Sequence, residues 1–376
     1  LSGASDFPVI RFQLPQESRM RKKAAALFFV CAGIATWFGC STTGSNRYLY
    51  TAIPGSNEIV VYREDPNSGV LTQLAGSPII AGPSVESIVI HPSKKFLLAA
   101  NAGENDISLF TISSSGALNE ITPRTVAGTA PTILSMDSAG SFLYVGNSGT
   151  NSISVFSINA GASPPTLTPV AGSPFAIGIS PLNMKVSPSG AFLYVTGTGS
   201  PGFIEAFSLT QGVLTPVASS PYFAGTGPFG LAIAPSGGFL YTANKLDNSI
   251  SEFTVNADGS LTQFSNSPIG EQFSGPVALQ IDHSGKYMYV ANQGSTNVAA
   301  YSIGSDGALT LITSSPFATG AQPSVIANDP TGKYLYVGNQ SSPTIHSFSL
   351  DPGSGTLTSV AQYSVPGTPT SIAITP

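Results

Sequence analysis

Side chains able to do chemistry are sparse in this chain. Its 376 residues hold three histidines and two cysteines, beside 19 carboxylates and 14 basic residues. His91 (VIHPS) and His283 (DHSGK) fall in short turns and His346 in a strand-like run (TIHSFSL), so no spacing sets up a zinc site or a proton relay. Turn and packing roles are the plainer assignment for all three. No G-x-S-x-G elbow presents a serine nucleophile. One acidic grouping remains: Glu86, with Glu104 and Asp106 in AGENDI. Three such carboxylates on one face could hold a hard cation such as calcium through oxygen ligands, or simply solvate a loop. Apart from that calcium alternative, the sequence calls for no cofactor. Lys245 and Asp247, in NKLDN, have the spacing of a rim ion pair.

Composition narrows the partners. Only 9% of residues are charged, against roughly 25% in ordinary soluble domains, while 40 Gly and 30 Pro punctuate a chain that is 41% hydrophobic. Solubility must rest on Ser, Thr, Asn and backbone groups. With no polybasic patch and a pI near 5.1, the chain lacks the electrostatic footprint of a nucleic-acid binder.

The amino-terminal part reads as an address. MRKKAAALFFVCAGIATWFGCSTTGSN, from Met20, has a basic start, an uncharged run from Ala24 to Gly39, then Cys40 and a small polar tail. That is the layout of an export signal, and the run is too short as a helix for a hydrocarbon core of about 30 Å. FGCS resembles a bacterial lipoprotein signal, which implies acylation of Cys40 and a membrane tether; Trp37 departs from the small aliphatic residue usual three places earlier. The expected organisation is a leader over 1–19, a signal over 20–39, a lipidated cysteine and linker over 40–46, and one domain over 47–376. Both cysteines lie in the signal region, so the domain holds no disulfide.

What must position any site is a repeat. Strands of one form recur as RYLYTA at 47, KFLLAAN at 95, SFLYVGN at 141, AFLYVTG at 191, GFLYTAN at 238, KYMYVAN at 286 and KYLYVGN at 333, spaced 46 to 50 residues apart. Between copies the same parts return: a second strand (ISVFSI), a Gly-containing turn and third strand (GVLTPV), an S-P-[FYI] loop, and a fourth strand (GLAIAP). Short β-rich runs split by turn residues, without a sustained helical period, predict an all-β fold of four-stranded antiparallel units. Packed radially, such sheets bury both faces and leave no long edge, which predicts a seven-bladed β-propeller. We letter the strands a to d outward, with the GLAIAP type as a. The chain enters at a b strand and ends at an a strand (SIAITP), so the C-terminal strand should complete the N-terminal blade and close the ring.

In such a meander the d-to-a and b-to-c loops share one face, where the start of strand a rings the channel mouth. Asn101, Asn147, Asn244, Asn292 and Asn339 end strand b; turn chemistry explains them better than a polar ring for a sugar or peptide. Phe175, Tyr222 and Phe317 of the S-P loops read as plugs between blades.

The repeat, its P-S-G-K-[FY]-L-Y-V-x-N unit and the seven-fold count resemble the lactonase-type propellers related to bacterial 6-phosphogluconolactonase, over residues 47 to 376. The resemblance implies a site built from Arg, His and Glu in one blade, G-P-R-H-x-x-x-x-P-x-G-x-x-x-Y-V-x-N-E. Here the matching stretch is GPFGLAIAPSGGFLYTANK: Phe229 stands for the Arg, Gly230 for the His and Lys245 for the Glu. Positions equivalent to Gly230 in the other blades are Ser87, Ile133, Asn183, Ala278, Val325 and Ser371, none a base near neutral pH without an activating partner. Two functions follow. One is an exported, lipid-anchored binding or scaffold module, with a small molecule, glycan or protein at a mouth that includes Glu86, Asn183, Phe229 and Lys245. The other, implied by the resemblance, is a sugar-lactone hydrolase.

Overall fold

The computed structural model describes residues 46–197, 201–270, 272 and 274–375. The leader, the signal and the Cys40 acylation site lie outside them. The described chain forms seven antiparallel sheets of four or five strands, and no described helix is long and apolar enough to cross a membrane. Blade 5 shows the pattern. Pro228–Ile233 is strand a, Phe239–Asn244 is b, Ser249–Val255 is c and Leu261–Gln263 is d. A short fifth run, Ile269–Gly270, pairs with the start of strand c.

The sequence assigns that fifth run to the S-P-[FYI] loop, and the structure makes it a short strand. In five blades strand d breaks at the Ser-Pro turn and resumes as the two-residue segment; in blades 2 and 7 it is continuous, Leu118–Val126 and Leu357–Ser364. Phe175, Tyr222 and Phe317 sit on or beside these segments, half-buried against the clusters between blades.

Ring closure follows the expected route. Ser371–Ile374 pairs with Arg47–Ile53 in the register Leu49↔Ile374 to Ala52↔Ser371, so blade 1 takes its innermost strand from the far end of the chain. The innermost strands then touch in cyclic order around the axis.

Alternation in strand b supplies the core. Leu143 and Val145 of FLYV pack toward blade 2, while Tyr144 packs toward blade 4. Each of the seven seams holds such an apolar cluster, so burial of roughly 25 cal/mol per Å² of apolar surface is realised between blades rather than within them. Five of the seven seams also carry a polar stitch from strand b. Its buried tyrosine donates to a glycine carbonyl in the c-to-d hairpin of the next blade: Tyr50 to Gly116 (2.9 Å), Tyr194 to Gly259 (2.9 Å), Tyr241 to Gly307 (2.7 Å) and Tyr289 to Gly355 (3.0 Å). Tyr336 reaches across the closing seam to Gly69 (3.3 Å). Removal from water raises the phenol pKa of each, so all donate as neutral hydroxyls.

Candidate functional site

A β-bulge marks the second position of strand a, with the register shifting between Pro228 and Gly230 in blade 5 and at the same place in blades 2, 4, 6 and 7. A bulge re-aims the side chain it carries, and Glu86 and Phe229 occupy this position at the mouth. Phe229 meets Lys245, whose Nζ lies 5.4 Å from the ring centroid. Such a cation–π contact is worth about 0.5–1 kcal/mol at an exposed site. The expected Lys245–Asp247 pair does not form. Asp247 accepts instead from the Thr226 N–H and the Ser249 hydroxyl, fastening its own loop to the one before strand a.

The four expected ligand-binding residues are spread around the ring. Glu86 belongs to blade 2, where it accepts from the Ser84 hydroxyl at 2.7 Å. Asn183 is in blade 4, half-buried, and its carbonyl accepts from the Thr196 hydroxyl at 3.4 Å. Phe229 and Lys245 are together in blade 5. Positions equivalent to Lys245 in blades 6 and 7 hold Gln293 and Gln340, whose amides bond across the blades at 2.8 Å. That amide pair is legible as two glutamines one residue beyond the strand-ending Asn.

The position equivalent to Gly230 faces the neighbouring blade rather than the channel water. A Cβ built on Gly230 would lie 2.7 Å from the Val277 carbonyl oxygen and 3.2 Å from the Ala278 Cα, both backbone atoms of the next innermost strand. No side chain fits there without moving a strand. Ser371 and Ser87, at the same position, accept the backbone N–H of Ile88 and Leu134 from the next blade, each at 3.1 Å. These hydroxyls cement the inner ring.

The structure does not bring together Glu86, Glu104 and Asp106, the carboxylates expected to hold calcium. The guanidinium of Arg124 pairs with Glu104 at 2.6 Å and Glu120 at 2.7 Å and lies 4.0 Å from Asp106. Glu86 is engaged apart from them by Ser84. Among the described residues no group of three His, Cys, Asp or Glu converges for a metal. Arg124 was missed because it lies in strand d, 20 residues beyond Glu104, and only the blade's register brings them together.

The strand-ending asparagines are fully buried and serve the loops. Asn147 donates to Ser152 and Ser154, Asn244 to Ser249 and Ser251, and both lie against a glycine of the d-to-a loop. Blade 4 ends strand b in Gly197 instead, and Glu205 of strand c fills the space: its carboxylate accepts the Gly178 N–H at 2.8 Å. Burial pushes the Glu205 carboxyl above its ordinary pKa.

Two of the histidines are structural. His91 is buried and stacked on Phe96; its Nε2–H donates to the Gly140 carbonyl, so Nδ1 accepts from Ser93. His346 bonds Ser359 and is held neutral by burial, which lowers its pKa. His283 lies at the other end of the channel, in the wall of a cavity of about 360 Å³ formed by the ends of the innermost strands of blades 3 to 6.

The family model described as lactonase, seven-bladed β-propeller, matches residues 40–174 and 180–374. Among curated proteins none matches the sequence. Among solved structures, a candidate 6-phosphogluconolactonase of Bacteroides fragilis is similar at a TM-score of 0.75 and 22% identity, covering 89% of this chain and 99% of that one. The periplasmic gluconolactonase of Pseudomonas aeruginosa is similar at 0.70 and 22%, covering 88% and 99%. A protein of Desulfotomaculum acetoxidans described as functionally unknown is similar at 0.68 and 14%, covering 87% and 98%.

Proposed function

The chain belongs to the lactonase seven-bladed β-propeller family, and from that premise we propose that its mouth binds a ligand without hydrolysing a lactone. One observation carries the reading: where the family resemblance puts a histidine, the backbone of the next blade lies 2.7 Å from the position of a Cβ. Lactone hydrolysis needs a group to activate water as well as donors for the oxyanion. Backbone N–H groups could serve the second need, but Phe229, Gly230 and Lys245 supply no base for the first. The same residues favour recognition. An aromatic face with a cation beside it, followed by an amide pair in the next two blades, suits a small polar molecule or a glycan.

The proposal extends to location. Export through the signal at 20–39 and acylation at Cys40 would hold the propeller at the cell envelope, and the family match begins at residue 40. The Pseudomonas relative is described as periplasmic. A palmitate label lost in Cys40→Ser is the expected result.

The decisive experiment is a pH-stat assay of D-glucono-1,5-lactone hydrolysis with the full chain, Lys245→Met and Lys185→Met. All three are expected to match the buffer rate. Turnover above buffer that disappears in Lys245→Met would put catalysis at the mouth. Turnover that disappears only in Lys185→Met would put it at the opposite end of the channel. Either outcome overturns the binding reading.

A further inference from the structure

The fifth position of strand a forms a ring at the end of the channel remote from the mouth. Around it stand Val89, Ser135, Lys185, Ala232, Gln280, Ala327 and Ala373. Lys185 is the one ionisable member. Its neighbour Met184 is 1% exposed in the seam between blades 3 and 4, so alternation turns Lys185 the other way. There it lines the cavity of about 360 Å³. The side chain is exposed to the channel.

No hydrogen bond or ion pair engages the Lys185 ammonium among the described residues. The charged and titratable groups facing it come from blade 6 alone, Asp282 and His283; the lining from blades 3 and 5 is aliphatic or small and polar. Asp282 is already occupied, accepting from the N–H groups of Ser284, Lys286 and Tyr287 and from the Ser284 hydroxyl. The ammonium thus stands exposed in the channel without a protein counter-charge, and desolvation by the surrounding protein lowers its pKa. Gln280, which lines the same cavity, donates one amide hydrogen to the Ile281 carbonyl and keeps a second to help hold an anion. The remaining wall is largely apolar, including Leu231, Ile233 and Leu279.

We propose that this end of the channel binds a small organic monoanion, a carboxylate carried on an apolar body, with Lys185 as its counter-charge. A monoanion is preferred to a phosphate dianion because the wall offers no second ammonium or guanidinium to pair with a second negative charge. The volume, near the lower limit for ligand pockets, sets the size at about that of a six-carbon acid. This site is separate from the mouth and does not depend on what the mouth binds.

The test is calorimetric titration of the full chain with sodium hexanoate, hexan-1-ol and inorganic phosphate, in the wild type, Lys185→Met and Lys245→Met. Hexanoate is expected to bind saturably to the wild type and Lys245→Met, and at least tenfold more weakly to Lys185→Met. Hexan-1-ol, the same body without charge, is expected to bind wild type at least tenfold more weakly than hexanoate. Affinity should fall as pH rises through the lowered lysine pKa. Lys185→Met should fold, because the side chain is exposed and makes no hydrogen bond or ion pair among the described residues; an unchanged melting transition and circular dichroism spectrum verify this. Absence of hexanoate binding to folded wild type, equal binding to Lys185→Met, or tighter binding of phosphate would each overturn the proposal.

Discussion

The seam that closes the ring carries a buried charge cluster whose cost can be measured. Arg47, at the start of strand b in blade 1, lies 3.0 Å from Asp329 of blade 7 and 3.5 Å from Glu64 of its own blade, and both carboxylates are fully buried. One guanidinium therefore serves two acids. The Glu64 carboxyl is pushed up to about 7, first by burial and then by the charge of Asp329, with Arg47 and Tyr336 pulling the other way. Because the folded chain holds this proton more tightly than the unfolded one, the associated stability is present in full below about 4.5 and is lost as pH rises through about 7. The gap corresponds to about 3 kcal/mol. Glu64→Gln keeps the shape, removes the charge and leaves Arg47 paired with Asp329. At pH 8 the variant should be more stable than wild type by about 2–3 kcal/mol, or roughly 4 °C in Tm for a domain of this size, with a difference below about 0.5 kcal/mol at pH 4.5. Glu205 and Glu252 also have raised pKa values, so both proteins should lose stability with rising pH, and the difference between them isolates Glu64. Thermal and urea melts at the two pH values decide it. A variant less stable than wild type at pH 8 would mean that attraction to Arg47 outweighs desolvation, and the reasoning fails.

Two further substitutions test the seams. Tyr289→Phe should cost about 1–2 kcal/mol in urea unfolding, since it leaves the buried Gly355 carbonyl without its donor; no loss would show that the bond is replaced by water. Gly230→Ala should destabilise by about 1–3 kcal/mol because its Cβ meets backbone at 2.7 Å, and Gly230→His should lower Tm further without producing lactone turnover; a His variant as stable as wild type would show that the strand yields.

The architecture was readable because it is periodic. Seven copies of one strand, each with an aromatic at the same place, report a packing rule repeated at every seam, and the phase of the two ends reported the closure by Ser371–Ile374. The exceptions were harder. Nothing in AGENDI announces Arg124, because the contact depends on strand d folding back along strand c. The fifth strand was hidden by its length, two residues interrupted by a Ser-Pro turn. Lys185 is legible as an outlier, a charge where six blades carry small, amide or aliphatic residues, but it lies at the end of strand a, away from the mouth where the family resemblance places the site.

Blade 4 shows how a departure from the repeat is to be interpreted. Gly197 replaces the asparagine that ends strand b in five other blades, and read alone it marks a weakened turn. The structure pairs it with a second departure, Glu205, whose carboxylate reaches the loop glycine against which the asparagines lie in other blades. Two deviations in contact compensate each other, so neither calls for a ligand. Lys185 lies in the same blade and has no such companion: its ring neighbours are Ser135 and Ala232, and Asp282, the carboxylate in its cavity, is bound by its own turn. A repeat fold thus separates its anomalies by a physical criterion. Those whose polarity is met within the protein are repairs, and the one whose charge is left unmet inside the channel points outward, to a molecule that meets it.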